Sequence, residues 1–329
     1  MATFVSASVE THEENQNTKT LSIDLPLDFS SIQFLPKSHA WPELNNDDQI
    51  ENNNESSLLA LPIIDFHDPN VMEHIGLACE EWGAFQLKNH GIPKSVIKEL
   101  EVQTKRLFDL PQEQKMKALR SRDNPASGYG TIWITRFFQQ CMWQEGFTIS
   151  GPSDTDAKNI WPDDYQSFCD AMKKFRDESR MLIEKLIHLS FKYLGISKEQ
   201  EGNWIGLNNC VDALQLNSYP ICPNPENAMG IGPHTDTSFF TVVHQFQSSG
   251  LQMLKDGSVL HRAIVNNIKH RYSMVYFYRP TMDHVISPLI SNNTHDNPRF
   301  RAALTLKEYS AIKDKNFDKA LSIISVKKD

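Results

Sequence analysis

Residues Val211-Asp-Ala-Leu-Gln-Leu-Asn-Ser-Tyr-Pro220 begin a region in which apolar and polar side chains alternate. Successive side chains of an extended strand leave opposite faces, so period-two alternation marks a strand lying between two different environments. The same texture returns in Ser238–Gln247, Gly250–Leu254, Val259–Asn267 and Arg271–Arg279, with Pro, Gly and Asn between the runs. Short β-rich runs without interleaved helices predict an antiparallel sandwich or jelly roll. Upstream the period changes. Residues 163–194 place Phe168, Met172, Phe175, Leu182, Leu186, Leu189 and Tyr193 at alternating spacings of three and four, broken at Ser179. Asp163 and Asp164 suit the start of a helix, and Gly195 its stop. Such a stripe serves either a coiled-coil seam or, far more often, one helix packed along a sheet. Helical spacing also covers 71–82, 94–108 and 301–325, with short strands expected at 61–65 and 82–87.

The fold class expected from this pattern is α+β, a jelly roll with flanking helices. Residues 43–57, ELNNDDQIENNNESS, are too rich in Asn and acid to bury a core, so 1–58 is expected to be a poorly ordered N-terminal segment. Residues 59–205 then form a mainly helical region, and 206–329 the jelly roll with its closing helix. At 329 residues there is ample material for a buried core. A net charge of −8, with no basic stripe, argues against binding to nucleic acid. No apolar run approaches the roughly 20 residues that span a bilayer. The first 15 residues lack the basic start and apolar centre of a secretion signal, and the five cysteines are scattered. Both features predict a cytoplasmic protein with reduced thiols.

Chemistry concentrates in the β region. His234 and Asp236 stand at i and i+2, so on an extended segment both reach one ion. A His-x-acid pattern is weak by itself, since His12-Glu-Glu14 repeats it near the N-terminus. His261 lies in a strand-like run with Val259, Ala263 and Val265 on its own face. Taken singly, His234 reads as a turn residue, His261 as a core histidine and Arg271 as a surface arginine. Together they say more. Two imidazoles and one carboxylate on one side of a metal leave open positions opposite, as in non-haem Fe(II) oxygenases. Arg271 and Ser273 repeat the i, i+2 arrangement with a planar guanidinium and a hydroxyl, both suited to a carboxylate. Asn217 and Tyr219 form a third such pair. Three polar pairs converging from apolar strands predict a cavity that binds a metal and a small dicarboxylate.

These segments resemble the plant 2-oxoglutarate- and Fe(II)-dependent dioxygenases. The resemblance rests on Trp82-Gly-Ala-Phe-Gln-Leu-Lys-Asn-His-Gly-Ile-Pro93, Asn217–Cys222, Gly232-Pro-His-Thr-Asp236, Ser258-Val-Leu-His-Arg262 and Arg271-Tyr-Ser273, in family order from about 60 to 320. Within that family, His39-Ala-Trp41, Asp68-Pro-Asn70, Ser127-Gly-Tyr-Gly130, Met142–Thr148, Trp161-Pro162 and Phe317–Ser322 are most similar to gibberellin 3-oxidases. The resemblance implies that His234, Asp236 and His261 ligate iron. It implies that Arg271 and Ser273 hold the distal carboxylate of the cosubstrate 2-oxoglutarate, with Tyr219 and Asn217 beside them. O2 is the oxidant and ascorbate the reductant. The implied activity is C-3 hydroxylation of a gibberellin, a compact diterpenoid acid, by a monomer. Other gibberellin oxidases, flavonoid-type enzymes or an inactive shortened form are the alternatives. Tyr129, Trp143 and Phe147 are the candidate substrate contacts, Trp143 and Phe147 reading equally well as core aromatics, and Glu145 is expected to cap a segment or pair with a nearby arginine.

Only 24 residues separate Asp236 from His261. Members of the family place roughly 25–30 further residues there, enough for two strands with their connections. In this chain Leu254-Lys-Asp-Gly257 runs directly into Ser258-Val-Leu-His261. The jelly roll is therefore expected to lack an adjacent pair of strands before His261, leaving edge groups unpaired and one cavity wall open to water.

Overall fold

The computed structural model describes residues 26–41, 61–121, 126–204, 210–254, 260–287 and 303–325. Residues 1–25, 42–60, 255–259 and 326–329, on which part of the expected N-terminal disorder and Ser258-Val259 fall, lie outside the described residues. Within them the chain folds as α+β. Strands β1 (Ile63–Asp65) and β2 (Gln86–Lys88) pair in parallel beside helices α1 (Val71–Glu81) and α2 (Lys94–Phe108). Strands β3 (Gly128–Gly130), β4 (Glu145–Ile149), β5 (Cys210–Tyr219), β6 (Met229–His234), β7 (Phe240–Gln245), β8 (Leu251–Met253), β9 (His261–Ile264) and β10 (Arg271–Pro280) build two antiparallel sheets. The larger has the order β3-β4-β5-β10-β7 and the smaller β6-β9-β8.

Alternation divides the larger sheet into two faces. Leu214 and Leu216 of β5, with Tyr272, Met274, Tyr276 and Tyr278 of β10, enter the main core with the helices. Gln215, Asn217 and Tyr219, together with Arg271, Ser273, Val275 and Phe277, line a cavity on the opposite side. Helix α3 (Gln166–Tyr193) covers the first face. It buries Phe168, Met172, Phe175, Leu182 and Leu186 along one stripe, and the interruption at Ser179 is itself fully buried. Gly195, at φ +69°, ends it in a left-handed conformation that glycine adopts without a Cβ penalty. The last helix, α4 (Leu306–Asn316), starts at a capping box in which Thr305 and Glu308 satisfy each other's backbone N–H groups.

Two expectations about organisation need correction. Residues 26–41, inside the segment expected to be disordered, are built into the structure. Trp41 donates its backbone N–H to Asn227 and its indole N–H to Cys141, and Phe29 packs edge-on against Trp143 with ring centroids 4.8 Å apart. Nor does position 205/206 divide the β structure, because β3 and β4 pair onto β5 and extend its sheet. Sheet pairing is nonlocal, and these two short strands carry no visible alternation of their own.

The short interval before His261 has a definite structural form. Strands β7 and β8 follow each other in sequence, and each is the outermost strand of its sheet. From β8 the chain returns as β9 after only residues 254–260, with Leu251 opposite Ala263, Met253 opposite His261, and Leu254 donating to Leu260 O at 2.9 Å. Dropping an even number of strands preserves the alternation of strand direction. Thus β8 runs into β9 as an antiparallel hairpin, and His261 still arrives opposite His234. Among the described residues no further strand pairs onto the outer edges of β7 and β8.

Candidate metal and dicarboxylate site

His234 ends β6, and Asp236 follows in the turn toward β7. Register places His234 opposite His261 of β9, so the two imidazoles stand side by side with centroids 4.2 Å apart. Asp236 Oδ1 lies 3.8 Å from His234 Nε2 and 3.9 Å from His261 Nε2. One ligand atom from each of the three residues falls within 4.8 Å of the others. Among the described residues, this is the one cluster of His, Cys, Asp or Glu side chains so arranged.

The residues around the cluster fix it. His234 Nδ1 meets Gly232 O at 2.8 Å, which directs Nε2 inward. Thr241 of β7 donates to Asp236 Oδ2 at 2.7 Å. Asp236 Oδ1 is buried and has no hydrogen-bond partner, the condition expected of an oxygen reserved for a cation. Burial and the neighbouring His261 push the His234 pKa well below its ordinary value. Burial works to raise that of Asp236, but the two histidines outweigh it and hold the carboxyl below the usual carboxylate range. A neutral imidazole beside an ionised carboxylate is the protonation state that metal ligation needs. Lys313, buried on α4, reaches across to donate to Thr235 O and, at 3.2 Å, to Thr235 Oγ1. It thereby clamps the turn between two of the cluster residues.

The second group sits on β5 and β10, where antiparallel register sets Arg271 opposite Tyr219 and Ser273 opposite Asn217. Arg271 is 1% exposed, and its guanidinium lies over the Tyr219 ring, 4.4 Å from the centroid. Nη2 donates to Gln245 Oε1 at 2.9 Å, while Nε and Nη1 are buried without partners. Gly250 makes room for the side chain, since a Cβ at that position would stand 2.6 Å from Arg271 Nε. Buried donors on a cation with no counter-ion are costly. They suit a small anion that arrives from outside. Asn217 Nδ2 donates to Ser273 Oγ at 3.3 Å. The metal cluster and the guanidinium border the same cavity, so a dicarboxylate could reach both.

The three candidate substrate contacts lie elsewhere. Phe147 shares a rung with Leu216 and faces the helices, where it meets Phe168 edge-on at 6.0 Å. Tyr129, opposite Phe147, points the same way and donates to Glu145 Oε1 at 2.6 Å. Trp143 is 1% exposed in a second core with Phe29, and its indole donates to Pro220 O. Strand parity and burial place all three outside the cavity lining. Glu145 pairs with Lys115 rather than with an arginine, and both side chains are buried. Among the lining residues that the motifs did not single out are Arg120, Ile132, Trp133, Ile134 and Gln215. Of these, Gln215 was detectable as the i−2 neighbour of Asn217. Arg120 and Ile132–Ile134 lie in irregular segments without a periodic signal.

Comparison with known proteins agrees with this geometry. Residues 61–164 match the N-terminal family model of the non-haem dioxygenase in morphine synthesis, and residues 210–259 match the 2OG-Fe(II) oxygenase superfamily. The second match stops two residues short of His261, at the β8–β9 junction. Gibberellin 3-beta-dioxygenase 1 of Pisum sativum is 38% identical, the match covering 90% of this chain and 88% of that protein. Gibberellin 3-beta-dioxygenase 1 of Arabidopsis thaliana is 34% identical over 90% and 92% of the two chains. The pea alignment runs over 333 positions while using 90% of 329 residues, about 296, so about 37 positions carry no residue of this chain. Among solved structures, JOX2 in complex with 2OG, Fe and JA superposes with a TM-score of 0.70 at 25% identity, covering 86% of this chain and 90% of that one.

Proposed function

Because the chain belongs to the 2-oxoglutarate- and iron(II)-dependent dioxygenases, we propose that it hydroxylates a gibberellin at C-3. The observation that carries the chemistry is a pair of complementary vacancies in bonding, at Asp236 Oδ1 and at Arg271 Nε and Nη1, on one cavity. The names of the relatives support the substrate. In this reading His234, Asp236 and His261 hold Fe(II). Arg271 and Ser273 hold the distal carboxylate of 2-oxoglutarate, with Tyr219 beneath the guanidinium and Asn217 orienting the Ser273 hydroxyl. When bound, iron(II) with 2-oxoglutarate and O2 supplies the power to replace a C–H bond by C–OH, with succinate and CO2 as coproducts and ascorbate keeping the iron reduced.

The chain's own work is binding, orientation and exclusion of water. Thr241 and Gly232 keep Asp236 Oδ1 and His234 Nε2 turned inward without taking up either atom. Ile132, Trp133, Ile134, Val243 and Phe277 give the cavity an apolar wall, matched to the hydrocarbon rings of a diterpenoid. Among the described residues no helix is long and apolar enough to cross a membrane. A monomer working in the cytosol, with no disulfide among the described residues, completes the reading.

One observation favours a second outcome. Among the described residues β7 and β8 have no strand on their outer edges; water entering there would make a hydroxylating site consume cosubstrate without completing the reaction. Purified protein supplied with Fe(II), 2-oxoglutarate, ascorbate and a gibberellin unsubstituted at C-3 separates the cases. Succinate with 3-hydroxylated product supports the proposal. Succinate without that product removes the C-3 claim, leaving uncoupled turnover or another substrate such as a flavanone. Absence of any Fe(II)-dependent succinate refutes dioxygenase activity for this chain.

A further inference from the structure

A continuous row of hydrogen-bonded side chains crosses the cavity face of the larger sheet. Arg120 donates through Nη2 to Thr148 Oγ1, and Thr148 donates to Gln215 Oε1. Gln215 Nε2 donates to Asn217 Oδ1 at 3.1 Å, and Asn217 Nδ2 to Ser273 Oγ at 3.3 Å. Ser273 is two residues along β10 from Arg271, on the same face. The row thus starts at the Arg120 guanidinium and ends next to that of Arg271, which itself bonds Gln245. Arg271 is accounted for by the cosubstrate. Arg120 is not.

Arg120 is held by neutral acceptors alone. Besides Thr148, its Nε donates to Gly128 O at 3.3 Å and its Nη1 to Thr131 O at 2.7 Å. Among the described residues, no carboxylate lies within salt-bridge distance. The nearby Asp156 carboxylate instead accepts from Ser127, at 2.7 Å. The guanidinium borders the cavity beside Ile132, Trp133 and Ile134. Burial draws its pKa down to about 10, still high enough to keep it cationic. A fixed cation facing a cavity, next to an apolar wall and, among the described residues, without a carboxylate in salt-bridge contact, matches a ligand that is a hydrocarbon bearing one carboxylate.

We infer that Arg120 anchors the carboxylate of the substrate and sets which end of the molecule is presented to the His234–Asp236–His261 cluster. The inference rests on the gibberellin reading above, whose substrate carries a carboxylic acid on a polycyclic skeleton. It makes Arg120 a specificity residue rather than a metal or cosubstrate contact. Thr148 and Gln215 keep its position in step with the cosubstrate end of the row.

The test measures binding by calorimetry, without turnover, under anaerobic conditions with Fe(II) and 2-oxoglutarate. It compares a gibberellin acid with its methyl ester, which keeps the shape but lacks the charge. The wild-type protein should bind the acid at least about tenfold more tightly than the ester, the scale of a hydrogen bond to a charged group. Arg120→Gln should lose that preference by weakening the acid alone, leaving the affinities for the ester and for 2-oxoglutarate within about threefold. Arg120→Lys should recover part of it. Equal binding of acid and ester by the wild type overturns the inference without need of a variant. So does an R120Q protein that binds the acid as well as the wild type, or that loses acid and ester alike. A wild type that binds neither compound defeats the gibberellin reading itself, and this inference falls with it.

Discussion

Replacing Arg271 by lysine tests whether its buried, unpartnered donors are reserved for the cosubstrate. The guanidinium is spoken for only at Nη2, by Gln245, and leaves Nε and Nη1 to meet an incoming carboxylate. A lysine brings a single ammonium on a flexible stem and cannot match two parallel acceptors. Losing one hydrogen bond to a charged group costs about 1.5–3 kcal/mol, which is about 10- to 150-fold in affinity. That loss can be read without turnover. At 100 times its dissociation constant a ligand stabilises the folded protein by about 2.7 kcal/mol; if the affinity falls about 100-fold, the same concentration stabilises by only about 0.4 kcal/mol. At about 2 °C per kcal/mol for a chain of this size, 2-oxoglutarate with Fe(II) under argon should raise the wild-type melting temperature by about 5 °C and that of R271K by about 1 °C. Equal shifts, or calorimetric affinities within about threefold of each other, refute the assignment of Arg271 to the cosubstrate.

Three other perturbations address the scaffold. Lys115→Met leaves Glu145 buried with only hydroxyl donors from Tyr129 and Ser218, so it should cost about 3–5 kcal/mol and lower the melting temperature by about 6–10 °C. The double variant with Glu145→Leu should recover most of that loss, as scanning calorimetry would show. Asp212 is buried, which works to raise its pKa, but Arg176 and Arg180, with the Tyr276 hydroxyl, hold it below the ordinary value. A depressed folded-state pKa gives stability that is complete above the unfolded pKa near 4 and fades as pH falls through the folded one. Urea midpoints between pH 5 and pH 2.5 (the range about these values) should therefore fall more steeply for the wild type than for Asp212→Asn, and parallel curves would contradict the pairing. In hydrogen exchange, the amides of β7 that do not face β10 should exchange faster than those of β5, which is flanked on both sides. Equal protection would mean that the β7 edge is covered.

The sequence was informative where one face of an element differed chemically from the other. The spacing within 163–194 gave the long helix, and the paired polar positions at 217/219 and 271/273 named two strands whose register then set them opposite each other. The break before His261 was legible as a length, and its outcome as a hairpin followed from strand direction. What could not be read was the environment of strands buried on both faces. Every residue of Glu145–Ile149 is buried, so alternation there does not distinguish the helix side from the cavity side, and only the structure decides between the core and cavity readings of Phe147, for the core. Pairings formed at long range, such as Lys115 with Glu145, leave no local trace. The same is true of Arg120, whose position depends on carbonyls at Gly128 and Thr131.

Lys313 gives the site a dependence on time as well as space. The three cluster residues have all been synthesised by position 261, yet the turn that carries two of them is clamped by a side chain from α4, far along the chain. A nascent protein still lacking α4 holds every donor, with Gly232 and Thr241 to orient them but without the Lys313 clamp. In the proposed reading, tight iron capture therefore waits until α4 has been made and packed. A chain stopped before Leu306 would carry the full set of donors and bind the metal weakly.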